Sequence, residues 1–357
     1  MPIKPWRATC IQMQSERASQ APDDAAAREV IKRNQARLVG LIEKALASDE
    51  RPDLVVFPEF GMSGPPLGMQ VADWIARACD RIDGWITKPL RDLAKREGIY
   101  IAGNMFEAPE EWPGRYFNSS FIIGPEGTVI LNYRRVNVAA FPSVHDFMTD
   151  YMRVTPMGDV FPVVDTPLGK LCVIACGEIT VPEVARCMML NGAEVILHPT
   201  NSRHSVLQEA AKLARVGENM SYMISANVAG AIGFSPDGTH RGGRSHIIDH
   251  MGGTLAFREE ADETTSVSAL IDIEKLRRDR RADIGLANPH LRARYEMYVP
   301  YYAAARFYPP DYYLNAPMTH ASQCEGAVAI ARANMERVGV LQPLAVGAAE
   351  PVSTVEL

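Results

Sequence analysis

The chain has 357 residues, which is enough to bury a large core, and α/β units often reach this size as one domain. A net charge of −6 indicates no nucleic-acid-binding surface, and no segment approaches the 18 uninterrupted apolar residues of a membrane span. Its six cysteines lack paired CxxC spacing and follow no signal peptide, so the sequence predicts reduced thiols and a cytoplasmic protein.

Strands and helices alternate through most of the chain, with hairpins between some of them, which predicts the layered sheets of an α/β protein. Strands are predicted at 6–13, 53–60, 99–104, 116–123, 127–133, 160–165, 171–175, 194–197, 222–227, 243–249, 254–258 and 267–273. Helices are predicted at 24–47, in two pieces between 71 and 98, and at 182–191, 206–220 and 327–338. Residues 134–156 are predicted to be irregular. From residue 301 the chain is aromatic and rich in proline, and its final residues are predicted to be disordered.

Cys176 closes a short apolar run that is better explained as a buried strand than as a helix. Gly177 follows, and Thr180 and Glu183 have the spacing of a capping box around Pro182, which predicts a helix start. The thiol would then lie at the carboxyl end of a strand, beside N–H groups that favour a thiolate or an oxyanion. The alternative is an inert core residue, since free cysteines are often buried.

Two motifs, in this order, resemble those of the nitrilase superfamily of carbon–nitrogen hydrolases. Glu59 stands in VVFPEFGMSG after the second predicted strand, and Cys176 stands in CGEITVPE, as in that family's PE and C-x-[DE]-x-x-x-P-E motifs. The segments TPLGKLCV and GGRSHIID support the resemblance, which spans roughly residues 5–300. It implies a four-layer αββα sandwich, with Glu59 as the general base and Cys176 as the nucleophile.

One position departs from the family pattern. The family has a lysine in an YRK motif, whereas Tyr133-Arg134-Arg135 occupies that place here, and no lysine lies between Lys95 and Lys170. Arginine keeps the positive charge that would support an oxyanion, but its planar fork is larger and does not deprotonate. Arg135 is therefore expected either to replace the lysine in catalysis or to block the cavity.

The resemblance also implies supporting residues around these three. The Gly177 N–H is a candidate oxyanion donor, and Glu178 is a candidate to orient the turn or line the pocket. Asp150 falls close to a fourth acidic residue of the family, with Asp146 as the alternative. Glu183 is better explained as a helix cap than as a catalyst.

No metal and no organic cofactor are implied. His240, His246 and His250 lie in a glycine-rich hairpin without a closed set of metal ligands. His198 is expected to be an ordinary packed residue rather than part of the pocket. Serine-hydrolase and P-loop readings are excluded because the chain has no GxSxG and no GxxxxGK motif.

The resemblance implies a carbon–nitrogen hydrolase domain over residues 1–300 and a C-terminal extension over 301–357 that serves packing or oligomerisation. The expected protein is a homodimer or larger homo-oligomer that hydrolyses an amide or N-carbamoyl group of a small molecule through a Cys176 thioester. A nitrilase and an acyl transferase with the same nucleophile are alternatives. A catalytically impaired binding protein is a third, because Arg135 replaces lysine.

Overall fold

The computed structural model describes residues 2–138, 141–235, 237–342 and 344. The strands are β1 (Trp6–Gln12), β2 (Leu54–Val56), β3 (Tyr100–Glu107), β4 (Phe117–Ile123), β5 (Val129–Arg134), β6 (Val164–Thr166), β7 (Gly169–Val173), β8 (Val195–Pro199), β9 (Tyr222–Ala226), β10 (Ser245–Ile248), β11 (Thr254–Arg258) and β12 (Thr264–Ile271). The α-helices are α1 (Asp24–Leu46), α2 (Val71–Ala78), α3 (Lys88–Glu97), α4 (Met148–Val154), α5 (Met157–Val160), α6 (Pro182–Leu190), α7 (Val206–Asn219), α8 (Ile273–Arg281), α9 (Val299–Ala304) and α10 (Cys324–Arg337).

The strands form two six-stranded sheets with matching arrangements. The first sheet has the order β12-β1-β2-β3-β4-β5, and the second has the order β11-β10-β9-β8-β7-β6. Three neighbouring strands are parallel in each sheet, β1-β2-β3 in the first and β7-β8-β9 in the second. The outer pairings are antiparallel. In each sheet the carboxyl ends of the three parallel strands therefore lie side by side. Ligand-binding and active sites of α/β proteins are usually found at these strand ends.

The sheets pack face to face, with helices outside both. Along β2, Leu54 and Val56 face the core between the sheets, whereas Val55 faces the helices, as the two-residue period of a strand requires. Helices α1, α2 and α3 cover the first sheet, and α6 and α7 cover the second. This arrangement is the predicted four-layer αββα sandwich.

Three local predictions were wrong. The strand predicted at 160–165 begins only at Val164, because the chain before it forms the short helix α5 and a bend. The segment predicted to be irregular contains a 3-10 turn, Val144–Phe147, followed directly by α4, because Ser143 and Asp146 form a capping box there. The predicted capping box before α6 does not form. Val181 is the N-cap residue, and the Thr180 hydroxyl instead donates to the Gly177 carbonyl at 2.7 Å, closing the turn behind Cys176.

The C-terminal extension folds back on its own chain. Tyr313 is buried, and its carbonyl accepts a hydrogen bond of 2.7 Å from Arg115. The Thr319 carbonyl accepts from the backbone N–H of Val71, at the start of α2. The predicted helix near the C-terminus is confirmed as α10. The predicted terminal disorder lies outside the described residues, and the domain boundary at residue 300 stays a prediction. No helix in the described part of the chain is both long and apolar enough to cross a bilayer.

Candidate active site

Glu59 lies in the tight loop that follows β2, at the carboxyl ends of the parallel strands of the first sheet. Its side chain is 1% exposed. Oε1 accepts hydrogen bonds from Asn118 Nδ2 at 2.9 Å and from Arg135 Nη1 at 3.1 Å. Asn201, beyond the end of β8, donates to the Glu59 carbonyl at 3.2 Å, so both sheets fix the position of this carboxylate.

Arg135 follows the last residue of β5, the edge strand of the first sheet. Its backbone N–H donates to the Asn118 carbonyl at 3.0 Å, and its Nε donates to the Asn137 carbonyl at 2.8 Å. The guanidinium reaches the turn after the cysteine, since a Cβ on Gly177 would lie 3.6 Å from Nη2. The fork therefore spans the Glu59 carboxylate and the Cys176–Gly177 turn, with 11% of its side chain exposed.

Cys176 lies three residues beyond the end of β7, and its backbone has a φ of +44°. This left-handed conformation is uncommon outside glycine and turns the chain sharply out of the strand. The Glu59 carboxyl and the Thr200 side chain are both near enough to the thiol to influence its pKa. Burial, followed by the negative charge of Glu59, raises the pKa of the thiol to about 12, although Arg135 opposes the shift. The thiol is protonated at neutral pH and needs a base to become a nucleophile.

The Glu59 carboxyl is suited to be that base. Burial raises its pKa above the ordinary value, while Arg135, Asn118 and the Cys176 thiol act in the opposite direction. A carboxylate with a raised pKa, beside the thiol, can accept its proton and later return it.

Glu178 is buried beneath the cluster formed by Glu59, Arg135 and Cys176 and does not face solvent. It is 1% exposed, and its carboxylate accepts hydrogen bonds from Tyr133 Oη at 2.9 Å and from the Asn137 N–H at 2.8 Å. The Asn137 side chain adds a third bond at 3.1 Å. Burial raises the pKa of Glu178, and Arg135 is the largest opposing influence. Glu178 thus ties the segment that carries Arg135 to the turn that carries Cys176.

The other predicted acidic residues lie apart from this cluster. Asp150 sits on α4 and forms an ion pair with Arg153 at 3.0 Å, with no described contact to the cluster. Asp146 accepts from the Ser143 N–H as part of its capping box, and burial raises its pKa to about 6. Glu183 accepts a hydrogen bond from Tyr302, on the outside of the molecule.

Sequence reasoning gave no individual role to three groups in the site. Asn118 is a polar residue in the buried strand β4, and Asn104 holds its amide from the neighbouring strand. Thr200 and Asn201 follow β8, directly beside the strand that leads to Cys176. The sequence does show a polar stretch after a buried strand, which is typical of a site. Only the order of strands in the sheet shows that this stretch lies next to Cys176.

The histidines noted in the sequence are dispersed. His240 contacts Arg203, His246 contacts Thr254, and His250 pairs with Asp279. Across the described residues, no group of three or more His, Cys, Asp or Glu side chains is arranged to hold a metal ion.

The sequence profile named Carbon-nitrogen hydrolase matches residues 7–281. The chain belongs to the carbon–nitrogen hydrolase family. Among its relatives, the omega-amidase NIT2 of Xenopus tropicalis is 27% identical over 70% of this chain and 90% of that protein. An (R)-stereoselective amidase of a Pseudomonas species is 28% identical over 64% of this chain and 76% of the amidase.

Solved structures share the fold of this carbon–nitrogen hydrolase. The carbon–nitrogen hydrolase of Helicobacter pylori superposes with a TM-score of 0.61 at 20% identity, covering 84% of this chain and 98% of that chain. The predicted membership of the nitrilase superfamily, in its amidase-like branch, is confirmed, as is the predicted fold. The protein is an enzyme that hydrolyses carbon–nitrogen bonds.

Proposed function

We propose that this hydrolase cleaves an amide or N-carbamoyl group of a small molecule through a thioester on Cys176. The observation that carries the proposal is one buried cluster, in which the Arg135 guanidinium hydrogen-bonds with the Glu59 carboxylate at 3.1 Å and also lies beside the Cys176–Gly177 turn. A base, a nucleophile and a fixed positive charge are the three groups that acyl transfer from an amide requires.

In the first step Glu59 accepts the thiol proton while sulfur attacks the carbonyl carbon. A carbon–sulfur bond forms, and the carbonyl oxygen becomes an oxyanion. Arg135 Nη2, beside Gly177, and the Gly177 N–H are the proposed donors to this oxyanion. The fixed guanidinium needs little rearrangement as the charge develops, because Asn137 and Glu59 already hold two of its nitrogens.

In the second step the tetrahedral intermediate collapses and the carbon–nitrogen bond breaks. Glu59 donates its proton to the departing nitrogen, so ammonia or an amine leaves and the acyl group stays on sulfur. Glu59 then accepts a proton from water, which attacks the thioester and releases an acid. The proton returns to sulfur, and the cycle uses no cofactor. Glu178 is the proposed support for Arg135, and Asp150 has no part because it pairs with Arg153.

The relatives include proteins named amidases and proteins named nitrilases, so the test compares amides with a nitrile. The test is intact-protein mass spectrometry after incubation with propionamide, succinamate, N-carbamoyl-alanine and propionitrile, with ammonia release followed in parallel. Turnover of an amide or carbamoyl compound is expected, with an acyl adduct that is absent in Cys176→Ala and whose formation is slowed in Glu59→Gln. Exclusive turnover of the nitrile contradicts the substrate assignment. An adduct that resolves only with an added amine indicates an acyl transferase, and no adduct with any compound indicates an impaired homologue.

We further propose that the protein is a cytoplasmic homodimer. All six cysteines are unpaired, which suits a reducing compartment. Residues of α6, of α7 and of the segment that leads into α9 line a groove of about 750 Å³, and large apolar side chains are exposed on each of these three parts. Exposed apolar surface of this kind is typical of an interface between subunits.

A further inference from the structure

Among the described residues, His198 is the one histidine whose ring hydrogen-bonds with the backbone of the nucleophile. It lies in β8, next to β7, and its side chain is fully buried. Its Nε2 is 3.0 Å from the Cys176 carbonyl oxygen, and its Nδ1 is 2.8 Å from the Ser225 hydroxyl on β9. Both ring nitrogens are therefore occupied, one by each neighbouring strand.

The partners of the ring fix its protonation. A carbonyl oxygen only accepts hydrogen bonds, so Nε2 must carry a proton and donate it. Burial, together with the positive charge of Lys212, lowers the pKa of the ring to about 3, so the ring is neutral and Nδ1 accepts from Ser225. The ring bonds the carbonyl of Cys176 and not its sulfur. A cysteine–histidine dyad, in which the ring would take the thiol proton, does not fit this geometry.

The bond forms where the backbone ladder between the two strands ends. Ile174 donates to the Leu197 carbonyl at 3.0 Å, which is the last such bond before the chain turns away at Cys176. The His198 side chain reaches across to the next available carbonyl, that of Cys176 itself. It thereby restrains Cys176, the residue of this turn whose backbone has a positive φ.

We propose that His198 is a positioning residue that holds Cys176 in its left-handed conformation and so directs the sulfur toward Glu59. The inference rests on the proposed function in one respect, that Cys176 is the nucleophile. The neutral ring transfers no proton. Without this hydrogen bond the turn relaxes toward ordinary φ values, and the thiol spends less time in contact with Glu59.

The test measures the alkylation rate of Cys176 by iodoacetamide, with peptide mass spectrometry to resolve this thiol from the other five. His198→Leu removes the bond at similar volume, whereas His198→Gln keeps an amide donor that can reach the same carbonyl. His198→Leu is expected to lower the alkylation rate and kcat about tenfold. The reason is that one hydrogen bond is lost and that the left-handed backbone of Cys176 is then no longer stabilised. KM should stay within about twofold of the wild-type value, and His198→Gln should recover most of the rate.

Two results overturn the inference. One is a folded His198→Leu protein that alkylates at the wild-type rate. The other is a His198→Gln protein as slow as His198→Leu with a displaced pH profile, since that result indicates proton transfer by the ring. If His198→Leu does not fold, Ser225→Ala replaces it, because it frees Nδ1 and is expected to slow alkylation about threefold. Equal rates in wild type, Ser225→Ala and His198→Gln then overturn the proposal.

The alkylation assay is independent of amide turnover. A wild-type protein that hydrolyses no amide, but whose alkylation depends on His198 as described, contradicts the proposed function and supports this inference. If His198→Leu hydrolyses amides as well as the wild type does, the result supports the proposed function and contradicts this inference.

Discussion

At the scale of single residues, Arg135 shows how an arginine is held inside the candidate site. Its guanidinium is held at two points, by Glu59 and by the Asn137 carbonyl, and its backbone N–H donates to the Asn118 carbonyl. A lysine would offer one nitrogen where Arg135 offers three. The fork is directed into the cluster by these partners and leaves the Cys176 side chain partly exposed to solvent.

Replacing Arg135 by methionine is expected to lower kcat about a hundredfold, the usual effect of losing one oxyanion donor. The acid limb of the kcat/KM profile should also move to higher pH, because Arg135 lowers the pKa of Glu59, which acts in its ionised form. Arg135→Lys keeps the charge and should stay within about tenfold of wild type. Steady-state kinetics across pH check both effects. Arg153→Met is the matched control on an exposed arginine, and wild-type kcat in Arg135→Met would contradict the proposed role.

The buried ring of His246 is expected to make the free energy of unfolding fall at acidic pH. Burial, followed by the charge of Lys212, lowers the pKa of its ring to about 4, below the ordinary value of 6.5 that applies to the unfolded chain. A lowered histidine pKa stabilises the folded state above pH 6.5, and that contribution falls as the pH drops toward 4, by up to about 1.4 kcal/mol per unit.

Urea unfolding between pH 7.5 and 4.5 measures this dependence. The free energy of unfolding should fall less steeply with acid in His246→Gln, which keeps a partner for the Thr254 hydroxyl, than in wild type. The exposed His204→Gln serves as the control and should keep the wild-type slope. Identical slopes in all three proteins contradict the assignment.

At the scale of elements, local patterns predicted most strands and helices but not the contacts between them. The motifs around Glu59 and Cys176 were readable because a few neighbouring residues define each loop. The capping box at Thr180 was wrong, because its hydroxyl instead closes the turn at Gly177. Asn118 could not be given its role, since its amide meets Glu59 only once β2, β3 and β4 are adjacent.

Glu178 joins elements of both sheets, so its loss is expected to affect stability and catalysis together. Glu178→Leu leaves the buried Tyr133 hydroxyl and the Asn137 N–H without their acceptor and should lower the free energy of unfolding by about 3 kcal/mol. Glu178→Gln retains one acceptor oxygen and should cost about half as much. Chemical denaturation measures both changes, and kcat should fall with them because Asn137 holds Arg135.

Glu183→Gln is the control for that series. Glu183 lies six residues after Gly177 and accepts one hydrogen bond from Tyr302 at the surface. The substitution should therefore change the free energy of unfolding by less than about 0.5 kcal/mol. If Glu178→Leu unfolds no more easily than Glu183→Gln, Glu178 does not join the two sheets in the way inferred here.

At the scale of the whole molecule, the C-terminal extension completes the first half of the sandwich. Leu314 packs against a buried cluster that contains Phe147, and Asp311 accepts bonds from both the N–H and the hydroxyl of Thr149 at the start of α4. A chain that ends after Ala304 is therefore expected to melt at least about 5 °C lower in differential scanning calorimetry. A chain that ends after Leu341 keeps these contacts and should melt with the wild type.

The same extension leaves apolar side chains exposed beside the outer helices. Leu207 on α7 is 71% exposed, and Tyr301 on α9 is 79% exposed, which is unfavourable for isolated subunits. Leu207→Glu places a charge in that face and is expected to convert a dimer into a monomer in light scattering. Leu270→Glu, on the exposed side of β12, is the control and should remain dimeric. A dimeric Leu207→Glu protein places the interface elsewhere, whereas a monomeric wild-type protein refutes the dimer itself.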